Sequence, residues 1–228
     1  MRVASLFSGG KDSVFALYKA LQDGHEVSCL ITIKSKRTDS YMFHIPNIEF
    51  AELQAKALEI PVVCMGSSGI KEKELEDLKK AMKIAKKKYN IQGLVSGALA
   101  SKYQSSRIKK LCDELDLISI TPLWDMDEEQ YLMDLINAKF NVIITGIAAD
   151  GLNKKWLGRK IDNECIGDLK KINEKNKIHI AAEGGEYETF VLDCPMFKSK
   201  IKITDFEIRI ENECTGQYVI KAAELVEK

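Results

Sequence analysis

Apolar positions in the first two thirds of the chain alternate between short continuous runs and helically spaced faces. Arg2-Val3-Ala4-Ser5-Leu6-Phe7 suits a buried strand, and Val14 to Leu21 lines a helix that ends before Gly24. Val27–Ile33 predicts a second strand, so the unit is strand, helix, strand, with a right-handed crossover and a parallel pair. Asn47 is placed to cap a helix through Phe50, Leu53, Ala57 and Leu58, and Pro61–Met65 reads as a third strand. Leu75, Leu78, Met82, Ala85 and Tyr89 then mark a helix whose other face carries Lys79, Lys80, Lys83, Lys86, Lys87 and Lys88. Gln92–Ser96 is a fourth strand. A helix through Ile108, Leu111 and Leu115 follows, then the run Leu117–Ile120, a helix through Tyr131, Leu132, Leu135 and Ile136, and a strand at Phe140–Gly146. This alternation predicts an α/β fold with a doubly wound, mainly parallel sheet.

Beyond residue 147 the rhythm changes. Asp150-Gly151 and Trp156-Leu157-Gly158-Arg159 are turn-rich, and Ile166, Leu169 and Ile172 predict one more helix. Ile201 and Ile203 alternate in one phase while Phe206, Ile208 and Ile210 alternate in the other, which predicts a bulge or bend near Thr204-Asp205. With a strand over Gln217–Val226, residues 147–228 read as a smaller C-terminal α+β lobe beside a wound domain over 1–146. No repeat, low-complexity tract or Pro/Gly/Ser linker separates them, so the lobes should pack closely.

Charge removes some classes of partner. Lysine plus arginine and aspartate plus glutamate number 34 each, so direct nucleic-acid binding through bulk charge is not expected. The lysine face is either solvated or a docking surface for an acidic partner or for RNA bound to one. Hydrophobic content of 45% supports a core, but no apolar run reaches the ~18 residues of a membrane span. The N-terminus leads straight into a strand without signal or transit features, which reads as cytoplasmic. The six cysteines are scattered without a Cys-x-x-Cys pair and read as buried thiols. Strand edges in the C-terminal lobe leave homo-oligomerisation open.

Three stretches carry chemistry. In Ser8-Gly9-Gly10-Lys11-Asp12-Ser13 a strand end, a glycine turn and a helix start aim backbone N–H groups and a helix dipole at one place. Lys11 adds a mobile positive charge, Ser13 a hydroxyl, and Asp12 a magnesium ligand. It is neither a Walker loop, since Ser5 stands where its first glycine would be and Asp12 follows the lysine, nor a dinucleotide fingerprint. Gly97, Ser101, Tyr103, Gln104 and Arg107 form a second anion-facing corner, with Gln104 and Arg107 on one helical face. His44 stands past the carboxyl end of the second strand, either as a loop histidine or toward a ligand. Glu183-Gly184-Gly185-Glu186-Tyr187-Glu188-Thr189 crowds three carboxylates around two glycines. That is tolerable in water, as an acidic turn, or opposite a cation, either a metal or a quaternary ammonium held by acids and an aromatic face.

The first stretch resembles the PP-loop of the N-type ATP pyrophosphatases, which cut ATP between the α and β phosphates and adenylate a substrate. Taken in order with Gly97 to Arg107, Trp156–Arg159 and Glu183–Thr189 through Cys194-Pro195, it resembles the diphthine–ammonia ligase family. That resemblance implies an adenine nucleotide alpha hydrolase-like fold. It also implies ATP-dependent amidation, with ammonium, of diphthine on translation elongation factor 2, through an acyl-adenylate that releases AMP and pyrophosphate. It makes Ser8, Gly9, Gly10, Lys11, Asp12, Ser13 and Gly97 the ATP site, with Mg2+ on Asp12 and Lys11, Asp12 and Arg107 as catalytic residues. Substrate would meet His44, Tyr103, Gln104 and the stretch Glu183, Gly184, Gly185, Glu186, Tyr187, Glu188 and Thr189. The three glutamates and Tyr187 would face diphthine's trimethylammonium group, and Lys11 and Glu186 would face each other across one cleft. Free ammonium is the expected donor, since the chain has no room for a glutaminase domain. The rivals are another adenylating PP-loop enzyme, such as a tRNA-modifying sulfurtransferase, and a non-catalytic nucleotide-binding regulator.

Overall fold

The strand at Arg2–Leu6 (β1) is the centre of the first sheet, because its apolar residues are buried on both faces. In a computed structural model of the chain, which describes residues 1–35, 47–70 and 73–228, it is followed by a helix at Lys11–Gln22 (α1) and a strand at Glu26–Ser35 (β2). His44 lies outside the described residues. Next come a helix at Ala51–Leu58 (α2), strand Val62–Ser67 (β3), helix Lys73–Tyr89 (α3), strand Gly93–Val95 (β4), helix Lys102–Glu114 (α4) and strand Ile118–Ile120 (β5). The five strands pair in parallel in the order β3-β2-β1-β4-β5. The chain therefore winds outward from β1 in one direction and then returns to its other side at β4. Such a reversal opens a crevice at the carboxyl ends of the two central strands, where open α/β sheets bind ligands. Ser8–Gly10 follows β1 and Ser96–Ser101 follows β4, so the two anion-facing stretches flank one crevice.

The doubly wound expectation holds for these strands, and the strand at Phe140–Gly146 corrects it. Helix Glu128–Asn137 (α5) leads into strand Asn141–Ala148 (β6), which joins a separate antiparallel sheet. That sheet is completed, after helix Asn163–Asn176 (α6), by Tyr187–Asp193 (β7), Lys200–Asn212 (β8) and Thr215–Val226 (β9), in the order β7-β6-β9-β8. Residues 142–147 are buried without interruption. A run buried on both faces reads alike in a parallel sheet and in an antiparallel sheet covered on both sides. The bulge near Thr204-Asp205 is present, since the β8–β9 register shifts on either side of Asp205. Past it, Phe206, Ile208 and Ile210 turn outward, and the Phe206 ring stacks on Tyr218 at 4.4 Å.

One hydrophobic core joins the two sheets. Val3, Phe7, Phe15 and Val95 share a cluster with Tyr131, Phe140, Ile144, Phe190 and Ile220. The opposite face of the parallel sheet packs Ala4, Ile31 and Leu94 against Leu78, Met82, Ile108 and Leu111 of α3 and α4. Buried polar side chains stitch the halves together as well. Gln54 on α2 donates to the carbonyls of Gly9 (2.9 Å) and Val191 (2.8 Å). Asn47, expected as a helix cap, makes no capping bond; it takes a left-handed φ of 66° and reaches to β9 instead. Its amide donates to Tyr218 O at 2.9 Å and accepts from Ile220 N at 2.7 Å.

Replacing Asn47 by alanine would strand a buried donor and a buried acceptor on β9 and leave a β-carbon at positive φ. A loss of about 3 kcal/mol in the free energy of urea unfolding is the expected outcome. A change within experimental error would show that the contact does not hold the sheets together.

Candidate active site

A cavity of about 390 Å³ lies at the carboxyl ends of β1 and β4, and residues 182–185 and 187–189 form its far wall. That volume is in the range of small-molecule sites. Ser8, Gly10, Lys11, Asp12, Ser13, Gly97 and Gln104 line it together with Glu183, Gly184, Gly185, Tyr187, Glu188 and Thr189. Most of the stretches picked out by sequence therefore converge on one cleft.

The Ser8–Ser13 loop is held by its own hydroxyls. Ser13 Oγ accepts from Ser8 N (3.2 Å), Gly9 N (3.2 Å) and Ser8 Oγ (3.1 Å), and donates to Gly10 O (3.0 Å). Gly9 has φ +83°, and a β-carbon there would fall 1.9 Å from Gln54 Oε1, so only glycine fits. Gly97 is required for another reason: its β-carbon would sit 2.6 Å from the backbone carbon of Asp12. The two loops touch at that point. Strand β7 completes the loop from behind, since Thr189 Oγ1 accepts from Lys11 N (3.0 Å) and Val191 N donates to Gly9 O (3.0 Å).

Lys11 was expected to be a mobile charge, and it is fixed. The residue is 2% exposed, and its ammonium donates to both Asp12 oxygens at 2.9 and 3.0 Å. The rings of Tyr131 and Tyr187 lie 5.8 and 5.5 Å from Nζ, giving the cation two aromatic faces. Tyr131 also donates its hydroxyl to Asp12 Oδ1 at 2.8 Å. Burial, followed by the Asp12 charge, pushes the Tyr131 phenol well above its ordinary pKa, so it stays a donor. Sequence reading saw Tyr131 only as a core position of a helix. Gln54 was missed likewise, because a buried amide leaves no pattern in an amphipathic helix.

The three glutamates have separate tasks. Glu183 Oε1 accepts from Ala100 N (3.0 Å) and Ser101 N (2.7 Å), so its carboxylate already fills the anion-facing corner before α4. Glu186 accepts from His179 N (2.8 Å) and Gly184 N (2.9 Å), tying the acidic loop to itself, and it does not line the cavity. The acid whose charge meets Lys11 is Glu188, not Glu186. No hydrogen bond reaches the Glu188 carboxyl among the described residues, and burial, opposed by Lys11 and aided by the smaller effect of the Asp12 charge, leaves its pKa raised to about 7. Tyr187 is buried and donates to Ile180 O at 2.6 Å.

On α4 Gln104 and Ile108 line the cavity. The Arg107 guanidinium lies 3.5 Å from the centre of the Tyr103 ring, and neither residue is part of the wall. Trp156–Arg159 is structural: Arg159 stacks on Trp156 and pairs with Asp168 at 2.7 Å.

The raised pKa of Glu188 gives a sign for stability. Its folded value lies above the unfolded one, so its contribution favours folding at low pH and is lost as pH rises through about 7. Glu188→Gln, which is neutral throughout, is expected to be about 2 kcal/mol more stable than the parent near pH 8, with the difference gone near pH 4. Urea titrations at both pH values measure this, and an equal difference at both would refute it.

Comparison with known proteins agrees with this geometry over nearly the whole chain. Residues 1–119 match the diphthamide synthase N-terminal domain, and residues 127–226 match the diphthamide synthase C-terminal domain. The diphthine–ammonia ligase of Bos taurus is 34% identical over 227 residues, covering 91% of this chain and 85% of that protein. Those of Homo sapiens and Danio rerio are 33% and 35% identical over 231 residues, each covering 93% of this chain and 86% and 90% of theirs. The matched segments contain the phosphate loop, the corner before α4 and the acidic stretch, and the chain belongs to the diphthamide synthase family.

Proposed function

We propose that this chain amidates the carboxylate of diphthine on translation elongation factor 2, spending ATP and ammonium and releasing AMP and pyrophosphate. The observation that carries this reading is the convergence of the phosphate loop and the acidic stretch on one cavity. In this reading residues 1–146 hold the nucleotide and residues 147–228 present the substrate wall. The loop receives the β and γ phosphates. Lys11, immobilised between Asp12 and two tyrosine rings, stabilises the charge that grows on the departing pyrophosphate without reorganising.

Magnesium fits this site as an ion carried mainly by ATP. Asp12 lines the cavity, and among the described residues its Oδ2 accepts from Lys11 alone, so that oxygen is where Asp12 would meet the ion. Such an ion would polarise the α phosphate toward attack. No cluster of three or more His, Cys, Asp or Glu side chains suited to a metal occurs among the described residues.

Diphthine's carboxylate and trimethylammonium group lie side by side, and the cavity offers partners for each. Gln104 is a neutral donor on the wall, and Glu183 puts a carboxylate there beside Gly184-Gly185. Tyr103 and Arg107 would meet the protein substrate outside the cavity in this reading. Sulfur transfer is disfavoured by the thiols. Cys29, Cys112, Cys165 and Cys194 are buried, their pKa values pushed up to about 12 for Cys29 and about 11 for the others, and no cysteine lines the cavity. No helix among the described residues is long and apolar enough to cross a membrane. A cytoplasmic enzyme meeting its elongation factor there is consistent with that.

The test is pyrophosphate release from ATP in the presence of unamidated elongation factor 2 and ammonium salt. Turnover should require all three, and Lys11→Ala should lower kcat by about 100-fold or more with the fold intact by circular dichroism. Stimulation by tRNA in place of the factor, or tight ATP binding without turnover, would sink the reading.

A further inference from the structure

We propose that Glu188 is the site at which ammonium binds and gives up a proton, so that ammonia is formed inside the cavity beside the acyl-adenylate. This deepens the amidation reading and rests on it. The argument begins with space. Glu188 on β7 pairs with Gly146 on β6, and a β-carbon at 146 would lie 3.1 Å from Glu188 Cβ and 3.4 Å from its Cγ. Glycine there gives the glutamate room to extend into the cavity. The second observation is availability. Glu183 and Glu186 each accept two backbone N–H bonds, and Asp12 is held by Lys11 and Tyr131, whereas the Glu188 carboxyl accepts none among the described residues. Among the acids of the cavity wall in the described residues, its carboxyl is the one that accepts no hydrogen bond.

Chemistry then separates two cations. Trimethylammonium has no N–H to donate and carries no proton to lose, so the Glu183 carboxylate on the cavity wall serves it. Ammonium has four donors, and it is useless as a nucleophile until it loses a proton. The groups that face Glu188 are Lys11 and Asp12 on α1, with opposed effects on its charge. Tyr187 from its own strand and Tyr131 from α5 stay protonated. Glu188 lines the cavity beside Lys11, where a carboxylate can take a proton from a bound ammonium.

The step balances as follows. An N–H bond of ammonium breaks and an O–H bond forms on Glu188. The freed lone pair forms the C–N bond at the acyl carbon. The nitrogen then loses a second proton to water, and the bond from the acyl carbon to the adenylate oxygen breaks with its electron pair going to AMP. Glu188 later returns its proton to solvent.

Hydroxylamine tests this, because it is largely neutral at pH 7.5 and needs no base. With Glu188→Gln, ammonium-dependent amide formation should fall about 100-fold more than hydroxylamine-dependent hydroxamate formation, both followed by mass spectrometry of elongation factor 2. The residual ammonium reaction of the variant should rise with pH in proportion to free ammonia, and more steeply than that of the parent. Glu188→Asp should recover part of the ammonium rate. Equal loss with both nucleophiles would place Glu188 in ATP or metal binding and overturn the proposal, as would an unchanged ammonium rate. If the parent consumed no ATP with either nucleophile and unamidated factor, the amidation reading itself would fail.

Discussion

The phosphate loop of this protein is not the property of one lobe. Gly9 and Lys11 come from the junction of β1 and α1, yet the carbonyl of Gly9 is held by Gln54 and by Val191 N, and Lys11 N by Thr189. A loop of small residues has little side-chain packing of its own, so its shape must come from what surrounds it. Here the surroundings are strand β7, which also carries Tyr187 and Glu188. The strand that shapes the nucleotide site is thus the strand that presents the substrate wall. Nearly every other feature of the site depends on that shared edge.

The same edge explains why Lys11 can be buried. A lysine taken out of water is strongly disfavoured unless its charge is matched. Asp12 supplies the matching charge, and Tyr131 and Tyr187 cover the remaining ammonium surface with ring faces. One tyrosine comes from α5 and the other from β7, so the cation is enclosed by elements far apart in sequence. Such an enclosure is rigid, and rigidity lets a fixed charge act on a leaving group without rearranging first.

The local signals in the sequence were read well. Glycine turns and the slipped alternation around Asp205 report short-range geometry, and the structure has both where the residues put them, whereas Asn47 bonds across to β9 instead of capping a helix. The acidic stretch was located, but its three glutamates could not be told apart, because their roles depend on which backbone N–H groups lie opposite. Glu183 meets α4, Glu186 meets its own loop and Glu188 meets the phosphate loop. Tyr131 and Gln54 were invisible for the same reason: a polar atom at the tip of a buried side chain does not alter the hydrophobic period. The strand at Asn141–Ala148 was seen but put in the wrong sheet, since complete burial erases the alternation that distinguishes one sheet from another. His44 lies outside the described residues.

The contact between Glu183 and the N–H groups of Ala100 and Ser101 has a bearing on selectivity. Those two donors at the head of α4 are never bare toward an arriving anion, for they already hold a carboxylate of the same chain. A ligand that takes them exchanges one charge-assisted pair for another, so only the difference between the two adds to its affinity. A weakly basic or poorly shaped anion therefore gains nothing there. The enzyme carries its own competitive standard against which any anion at that corner is measured.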